Sequence, residues 1–113
     1  MNDFLLIFRA DYKAMPKASP EQMQAATQKW IDWVAGIAAQ DRLVDRGNRL
    51  LPTGKVLRNN NAVSDGPYTE IKESILGYTM VKAGSLEEAT RLAHDCPVFL
   101  TGGNVEIREI NPL

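Results

Sequence analysis

The chain has one cysteine, Cys96, and one histidine, His94. A single cysteine excludes an intrachain disulfide, and the two residues together fall short of the ligand set a structural zinc site needs. Charge of one sign is missing too: 13 Lys and Arg stand against 14 Asp and Glu, a formal net charge of -1. Nucleic-acid binders release counterions from phosphates with a basic face, so this balance, without a Lys/Arg run, argues against nucleic acid as a partner. Long hydrophobic runs are absent. The longest, residues 4–8, is far too short to cross a bilayer, and the first residues lack the basic leader, apolar core and cleavage site of a signal peptide. A cytoplasmic protein with no membrane partner is expected. No Gly-rich phosphate loop, nucleophile elbow or metal-ligand set is present, so no metal and no cofactor are expected.

With 113 residues, 44% of them hydrophobic and 24% charged, the chain has the size and balance of one globular domain, residues 1–113, able to bury a core without staples. Phe4-Leu5-Leu6-Ile7-Phe8 suits a strand covered on both faces. Ser19-Pro20-Glu21-Gln22 reads as a helix start, with serine as cap, proline at the first helical position and Gln22 closing a capping box. Met23, Ala26, Trp30, Trp33, Val34 and Ile37 recur at helical spacing behind it, which predicts an amphipathic helix of about five turns ending near Gln40. The two tryptophans are read as large core residues laid on a sheet rather than as a ligand-stacking wall.

Leu43 to Pro52 reads as a short interrupted strand, Thr53-Gly54-Lys55 as a turn, and Val56-Leu57-Arg58 as the return arm of a hairpin. Asn59-Asn60-Asn61 is a polar loop, and residues 75–81 form a second strand-like run. Ser85-Leu86-Glu87-Glu88 is another capping box, opening a helix with Leu86, Ala89, Leu92 and Ala93 on one face that stops before Pro97. Gly102-Gly103 turns the chain into Val105-Glu106-Ile107-Arg108-Glu109-Ile110, which alternates with period two. The order is that of an α+β ferredoxin-like βαββαβ plait with an extra hairpin, both helices on one face of an antiparallel sheet. The bare face of the last strand carries either Val105, Ile107 and Glu109 or Glu106, Arg108 and Ile110. Because the first strand is apolar on both sides, a second copy of the sheet is the natural cover, and a homodimer is expected.

Residues 65–78 read D-G-P-Y-T-E-I-K-E-S-I-L-G-Y. Aspartate favours turns, Gly66 supplies permissive backbone angles, and Pro67 fixes φ and pushes its predecessor toward extended geometry. Alternation from there puts Tyr68, Glu70 and Lys72 on one side and Thr69, Ile71 and Glu73 on the other. A phenol, a carboxylate and an ammonium in a row can orient a small polar ligand. The same residues also make a sound turn followed by a solvated edge strand with a surface ion pair.

Asp65-Gly66-Pro67-Tyr68, Glu70, Lys72-Glu73 and Gly77-Tyr78, followed by a capped helix and Val105-Glu106-Ile107-Arg108, resemble the YCII-related family and in particular its DGPF-domain branch. The resemblance spans nearly the whole chain. It implies a ferredoxin-like protomer in a dimeric α+β barrel with a pocket between the two sheets. Some members of that branch lie beside sigma-factor genes, and some relatives in the wider family are cofactor-free lyases acting on aromatic substrates. Tyr68 stands where the branch has phenylalanine, adding a hydroxyl, and Glu109 stands where the family reads proline. The first helix has no histidine, so a His–Asp mechanism does not carry over.

His94, beside Asp95 late in the second helix, is read as structural, since adjacent helical residues diverge by about 100° and a helix C-terminus favours histidine. Cys96 is read as a small buried residue. Arg9 and Arg108 either take an anionic ligand or pair with Glu70, Glu73 or Glu106 across the sheet. The expected site is a small-molecule site at the homodimer interface. Asp65, Glu70 and Lys72 are its candidate catalytic residues, and Arg9, Gly66, Pro67, Tyr68 and Glu73 its candidate ligand-binding residues. As an enzyme, it moves a proton with Asp65 or Glu70 while Lys72 or Arg9 holds an anionic oxygen of a small aromatic or acidic substrate. The alternative is a non-catalytic ligand-binding or regulatory module.

Overall fold

β1 (Asn2–Arg9) lies inside a four-stranded antiparallel sheet because every second residue has a core to enter. Phe4, Leu6 and Phe8 are buried, while Leu5, Ile7 and Arg9 between them are half-buried on the opposite face. The computed structural model describes residues 1–15, 17–66 and 74–113. After β1 come α1 (Pro20–Ala39), β2 (Leu43–Asp45), β3 (Gly54–Leu57), β4 (Val63–Gly66), β5 (Ile75–Ala83), α2 (Leu86–Ala93), a 3-10 helix (Pro97–Thr101) and β6 (Asn104–Glu109). The sheet order is β2-β5-β1-β6, with β3 and β4 forming a separate pair. Each helix thus connects two strands that have another strand between them. This α+β arrangement is compatible with a ferredoxin-like plait.

α1 begins as its sequence predicts. Ser19 Oγ accepts from the Gln22 N–H at 3.1 Å, and the Ser19 N–H donates to Gln22 Oε1 at 2.9 Å, which satisfies two N-terminal groups at once. Its C-terminus closes with the Arg42 N–H donating to the Ile37 carbonyl and the Asp41 N–H to the Ala38 carbonyl. That pair of bonds is a Schellman cap, and it forces Asp41 to φ 57°. Trp30 and Trp33 close an edge-on trio with Phe8, at 4.9 and 5.7 Å between ring centroids. Trp33 Nε1 donates to the Leu92 carbonyl, so both tryptophans serve the core.

The first half of α1 departs from expectation. Residues 20–29 are all exposed, Met23 at 59%, and Ile31 further on is 54% exposed. Helical spacing selects which side of a helix is apolar, not how much of that side finds a sheet to rest on. In α2, Ala89 and Ala93 are buried as expected, whereas Leu86 is half in water.

After β2 the chain bulges at Gly47, φ 71°, whose N–H donates to Asp45 Oδ1 at 2.8 Å. It then returns to β5: the Tyr78 N–H donates to the Asn48 carbonyl and the Leu50 N–H to the Leu76 carbonyl. A Cβ on Gly47 would stand 1.8 Å from the Tyr78 carbonyl oxygen, so both backbone angle and space require glycine there. The interrupted strand is as expected, but the hairpin sits elsewhere. Residues 53–55 do not turn; Gly54 and Lys55 begin β3, which pairs with β4 in the register Lys55–Asp65 and Leu57–Val63. The turn is made by the asparagines, with Asn61 left-handed at φ 64° and Asn60 Oδ1 accepting from the Ala62 N–H, the turn chemistry asparagine supplies.

The radius of gyration is 15.4 Å and the extents are 43 × 43 × 18 Å, against about 13 Å for a compact chain of this length. Two parts stand clear of the core: the first half of α1 and the β3–β4 hairpin.

Two of the left-handed positions predict opposite outcomes. Replacing Asp41 by glycine removes the left-handed strain and should raise stability by about 0.5–1 kcal/mol. Gly47→Ala should lower it by roughly 1–3 kcal/mol. Urea unfolding of the two variants beside wild type checks both signs.

Candidate functional site

The registers that bury Phe4, Leu6 and Phe8 assemble a second surface on the far side of the sheet. Tyr78, Ile7 and Glu106 lie in one cross-strand row, and Met80, Leu5 and Arg108 in the next. Arg9 follows Ile7 on this face, at the end of β1. The last strand therefore turns Glu106 and Arg108 to the bare face and Val105 and Ile107 to the core. Leu5, Ile7 and Met80 form an apolar centre, each half-buried.

At the edge of that centre one carboxylate sits between two guanidiniums. Glu106 Oε1 accepts from Arg9 Nε at 3.2 Å, and Glu106 Oε2 from an Arg108 terminal nitrogen at 3.2 Å. These bonds, Arg108's first and then Arg9's, hold the Glu106 carboxyl below its ordinary value of 4.5. The Glu106 side chain is 36% exposed, so solvent screens the group and its energetic contribution is modest. On the next strand the Tyr78 hydroxyl accepts from Asn48 Nδ2 at 3.3 Å.

The signature meets the sheet at the same end. Gly66 pairs with Gly54 so closely that a Cβ would come within 3.0 Å of the Gly54 carbonyl carbon. Gly66 also lines a shallow cleft of about 570 Å³ with Tyr12, Pro52, Lys55 and Asp65. The described chain resumes at Ser74, whose carbonyl accepts from the Ala10 N–H at 3.1 Å. Ser74 is thus fastened directly after Arg9, and Gly66 lines one cleft with Tyr12.

The expected site residues fall into three groups. Arg9 is on the open face and engages Glu106, one of the pairings foreseen for it. Asp65 and Gly66 lie in the hairpin strand β4, and Asp65 is 91% exposed with its carboxylate 2.8 Å from Lys55 Nζ. Pro67, Tyr68, Glu70, Lys72 and Glu73 lie outside the described residues. Tyr78 and Asn48 were not foreseen as members of this surface, although the alternation of residues 75–83 would have placed Tyr78 beside Met80 had the register with β1 been known.

His94 is exposed at the end of α2. Cys96 is buried, and burial pushes its thiol up to about 11, so it stays protonated at neutral pH and is no nucleophile. Glu88, at the other end of α2, accepts from the Gly84 N–H and from Arg42 Nε, both at 2.8 Å. These two bonds hold its carboxyl low. Among the described residues no three His, Cys, Asp or Glu side chains converge to hold a metal ion, and no helix is long and apolar enough to cross a membrane.

An α+β protein with an antiparallel sheet, two helices and a bare, partly charged sheet face is the class these observations define. The family model of the YCII-related domain matches residues 4–113, and the chain belongs to the YCII-related family. No curated protein matches it.

Both perturbed carboxyls are held low by partners that exist only in the fold. Their contribution to stability is present above the ordinary value of 4.5 and lost as pH falls through the lowered folded value. Wild-type stability should therefore fall as pH drops from 4.5 through the lowered folded values. Glu88→Gln and Glu106→Gln should each start less stable at pH 7 and fall less steeply, converging on wild type in acid, as thermal melts across pH 7 to 3 would show.

Proposed function

We propose that the chain is a small-molecule-binding protein acting as a homodimer, in which the bare sheet faces of two copies meet and the ligand sits at the Arg9 end of the gap. One observation carries this reading: Ser74, at the far side of the signature, is fastened to Ala10, next to the corner where Arg9 and Arg108 flank Glu106. Such a corner suits a ligand with an acidic group, because a guanidinium fork recognises a carboxylate through paired N–H donors. The apolar centre of Leu5, Ile7 and Met80 suits an adjoining aromatic or aliphatic body. The fold allows this assembly, since an open sheet face with an apolar centre is self-complementary about a two-fold axis. The barrel of two sheets and the DGPF-type corner belong to the same reading.

Binding without turnover is the reading the geometry favours. Arg9 and Asp65 both engage charged partners, Glu106 and Lys55, and the cleft beside Asp65 is shallow. The catalytic reading has one observation behind it, that Asp65 and Tyr12 line the same cleft. In that reading Asp65 or Glu70 moves a proton while Lys72 or Arg9 holds the oxyanion, with Gly66, Pro67, Tyr68 and Glu73 shaping the corner.

A thermal-shift screen against small aromatic and aliphatic acids tests the site. Ligands that stabilise wild type should lose at least tenfold in affinity with Arg9→Met, and also with Lys72→Met or Asp65→Asn. Undiminished affinity in all three variants would place the site elsewhere.

A further inference from the structure

On the helix side of the sheet, opposite the bare face, α1, α2 and the 3-10 helix leave a groove of about 800 Å³ between them, within the size range of small-molecule sites. Two bonds tie its walls together: Trp33 Nε1 donates to the Leu92 carbonyl at 3.2 Å, and Arg42 Nε to Glu88 Oε1 at 2.8 Å. Along α1 the groove takes Lys29, Trp33, Gly36 and Gln40, and along α2 it takes Glu88, Arg91 and Leu92, each set at the spacing of one helix face. Trp33, Ile37, Leu92 and Pro97 give it an apolar floor, and Phe99 beside them is 49% exposed.

Two features of this groove have no explanation within the chain. The first is Gly36. It lies inside a 20-residue helix, where glycine is less favourable than alanine because it has more backbone freedom to lose. Its φ is not left-handed, and a Cβ built on it would meet nothing within 4 Å, so neither backbone angle nor neighbour calls for glycine. A ligand lying against the helix backbone does call for it.

The second feature is charge. Lys29, Arg42 and Arg91 line the groove together with Asp32, Glu88 and Asp95. Arg42 and Glu88 engage each other. Among the described residues no hydrogen bond or close ion pair engages the side chains of Lys29, Arg91 and Asp95; Arg91 acts on Glu88 through its charge alone. Asp32 has only the neutral Gln28 amide, at 2.8 Å. Both signs therefore stand uncommitted over an apolar floor. Arg91 and Asp95 are four residues apart, and His94 between them keeps a helical backbone (φ -56°, ψ -39°), so a cation and an anion sit as neighbours on one helix face.

We propose that this groove binds a zwitterionic small molecule with a large apolar side chain, an aromatic α-amino acid being the simplest example. The side chain lies on the strip of Trp33, Gly36 and Ile37, the carboxylate on the Arg91 guanidinium and the ammonium on Asp95. A purely acidic ligand would bring its charge against Asp32 and Asp95, and a simple amine would meet Lys29 and Arg91. The site is separate from the one at Arg9 and needs no second copy of the chain.

Calorimetric titration tests it, using L-phenylalanine, L-tryptophan and two analogues that keep one charge each, hydrocinnamate and phenethylamine. Wild type should bind both amino acids, and each analogue about tenfold more weakly or worse, as expected for loss of one charge-assisted contact. Gly36→Leu and Arg91→Gln should each weaken the amino acids by a similar factor, while Arg9→Met leaves them unchanged. Gly36→Leu should also raise the melting temperature, since leucine is the better helix former and has open space to enter, so lost binding there would not reflect misfolding. Absence of binding by all four compounds at millimolar concentration overturns the proposal. So does hydrocinnamate binding as tightly as phenylalanine, or affinity that survives both Gly36→Leu and Arg91→Gln. Binding lost only in Arg9→Met would assign the amino acid to the sheet face instead.

Discussion

The alternation of β1 is the constraint on which the rest depends. One eight-residue strand sends Phe4, Leu6 and Phe8 into the core and Leu5, Ile7 and Arg9 to the bare face, and its two neighbours are registered to follow. Each fully buried aromatic or leucine contributes about 1.5–3 kcal/mol, so a slip of one residue would exchange core for surface along the whole strand. The edge-on packing of Trp30 and Trp33 on Phe8 locks the register from above. The charged corner is a by-product of that lock: with Phe8 held down, Arg9 can only emerge beside Glu106.

The same constraint explains what could be read from the residues alone. Ser19 with Gln22, and Ser85 ahead of Glu88, announce helix starts through bonds that span three residues, and both caps formed. The strand-like runs at residues 4–8 and 75–81 became central strands because little else could bury them. Features set by long-range register were less legible. Which strand pairs with residues 54–57 depends on where the asparagine turn falls, so the hairpin shifted from residues 43–58 to Gly54–Gly66. Strand alternation put Glu106 and Arg108 together but left open which side faces the helices; pairing with Leu5 and Ile7 decided it. Tyr78 joined the surface through the same pairing, and no local pattern near Asn48 announced that its amide would reach the tyrosine hydroxyl.

Shape carries the functional account further than any single side chain does. A thin chain with an exposed ribbon, a half-exposed helix and a sheet covered on one side has spent its apolar residues on surfaces that its own fold does not close. Met23, Leu57 and Val63 are large, apolar and exposed, and they lie on the two parts that stand clear of the core. The chain's membership of the YCII-related family spans residues 4–113, so both the closed core and these open surfaces belong to the family domain. Arg9 is the charged end of that pattern: it leaves β1 on the open face and pairs with Glu106 across to the last strand.

The most direct measurement is the solution mass of Ile7→Glu beside wild type by sedimentation equilibrium, with circular dichroism as the check on folding. Ile7 is half-buried on the bare face, away from the helices, so the single chain should tolerate the carboxylate. The account predicts a dimeric wild type and a folded, monomeric Ile7→Glu, since two uncompensated charges would meet across the two-fold axis. An Ile7→Glu protein that associates as strongly as wild type would contradict it.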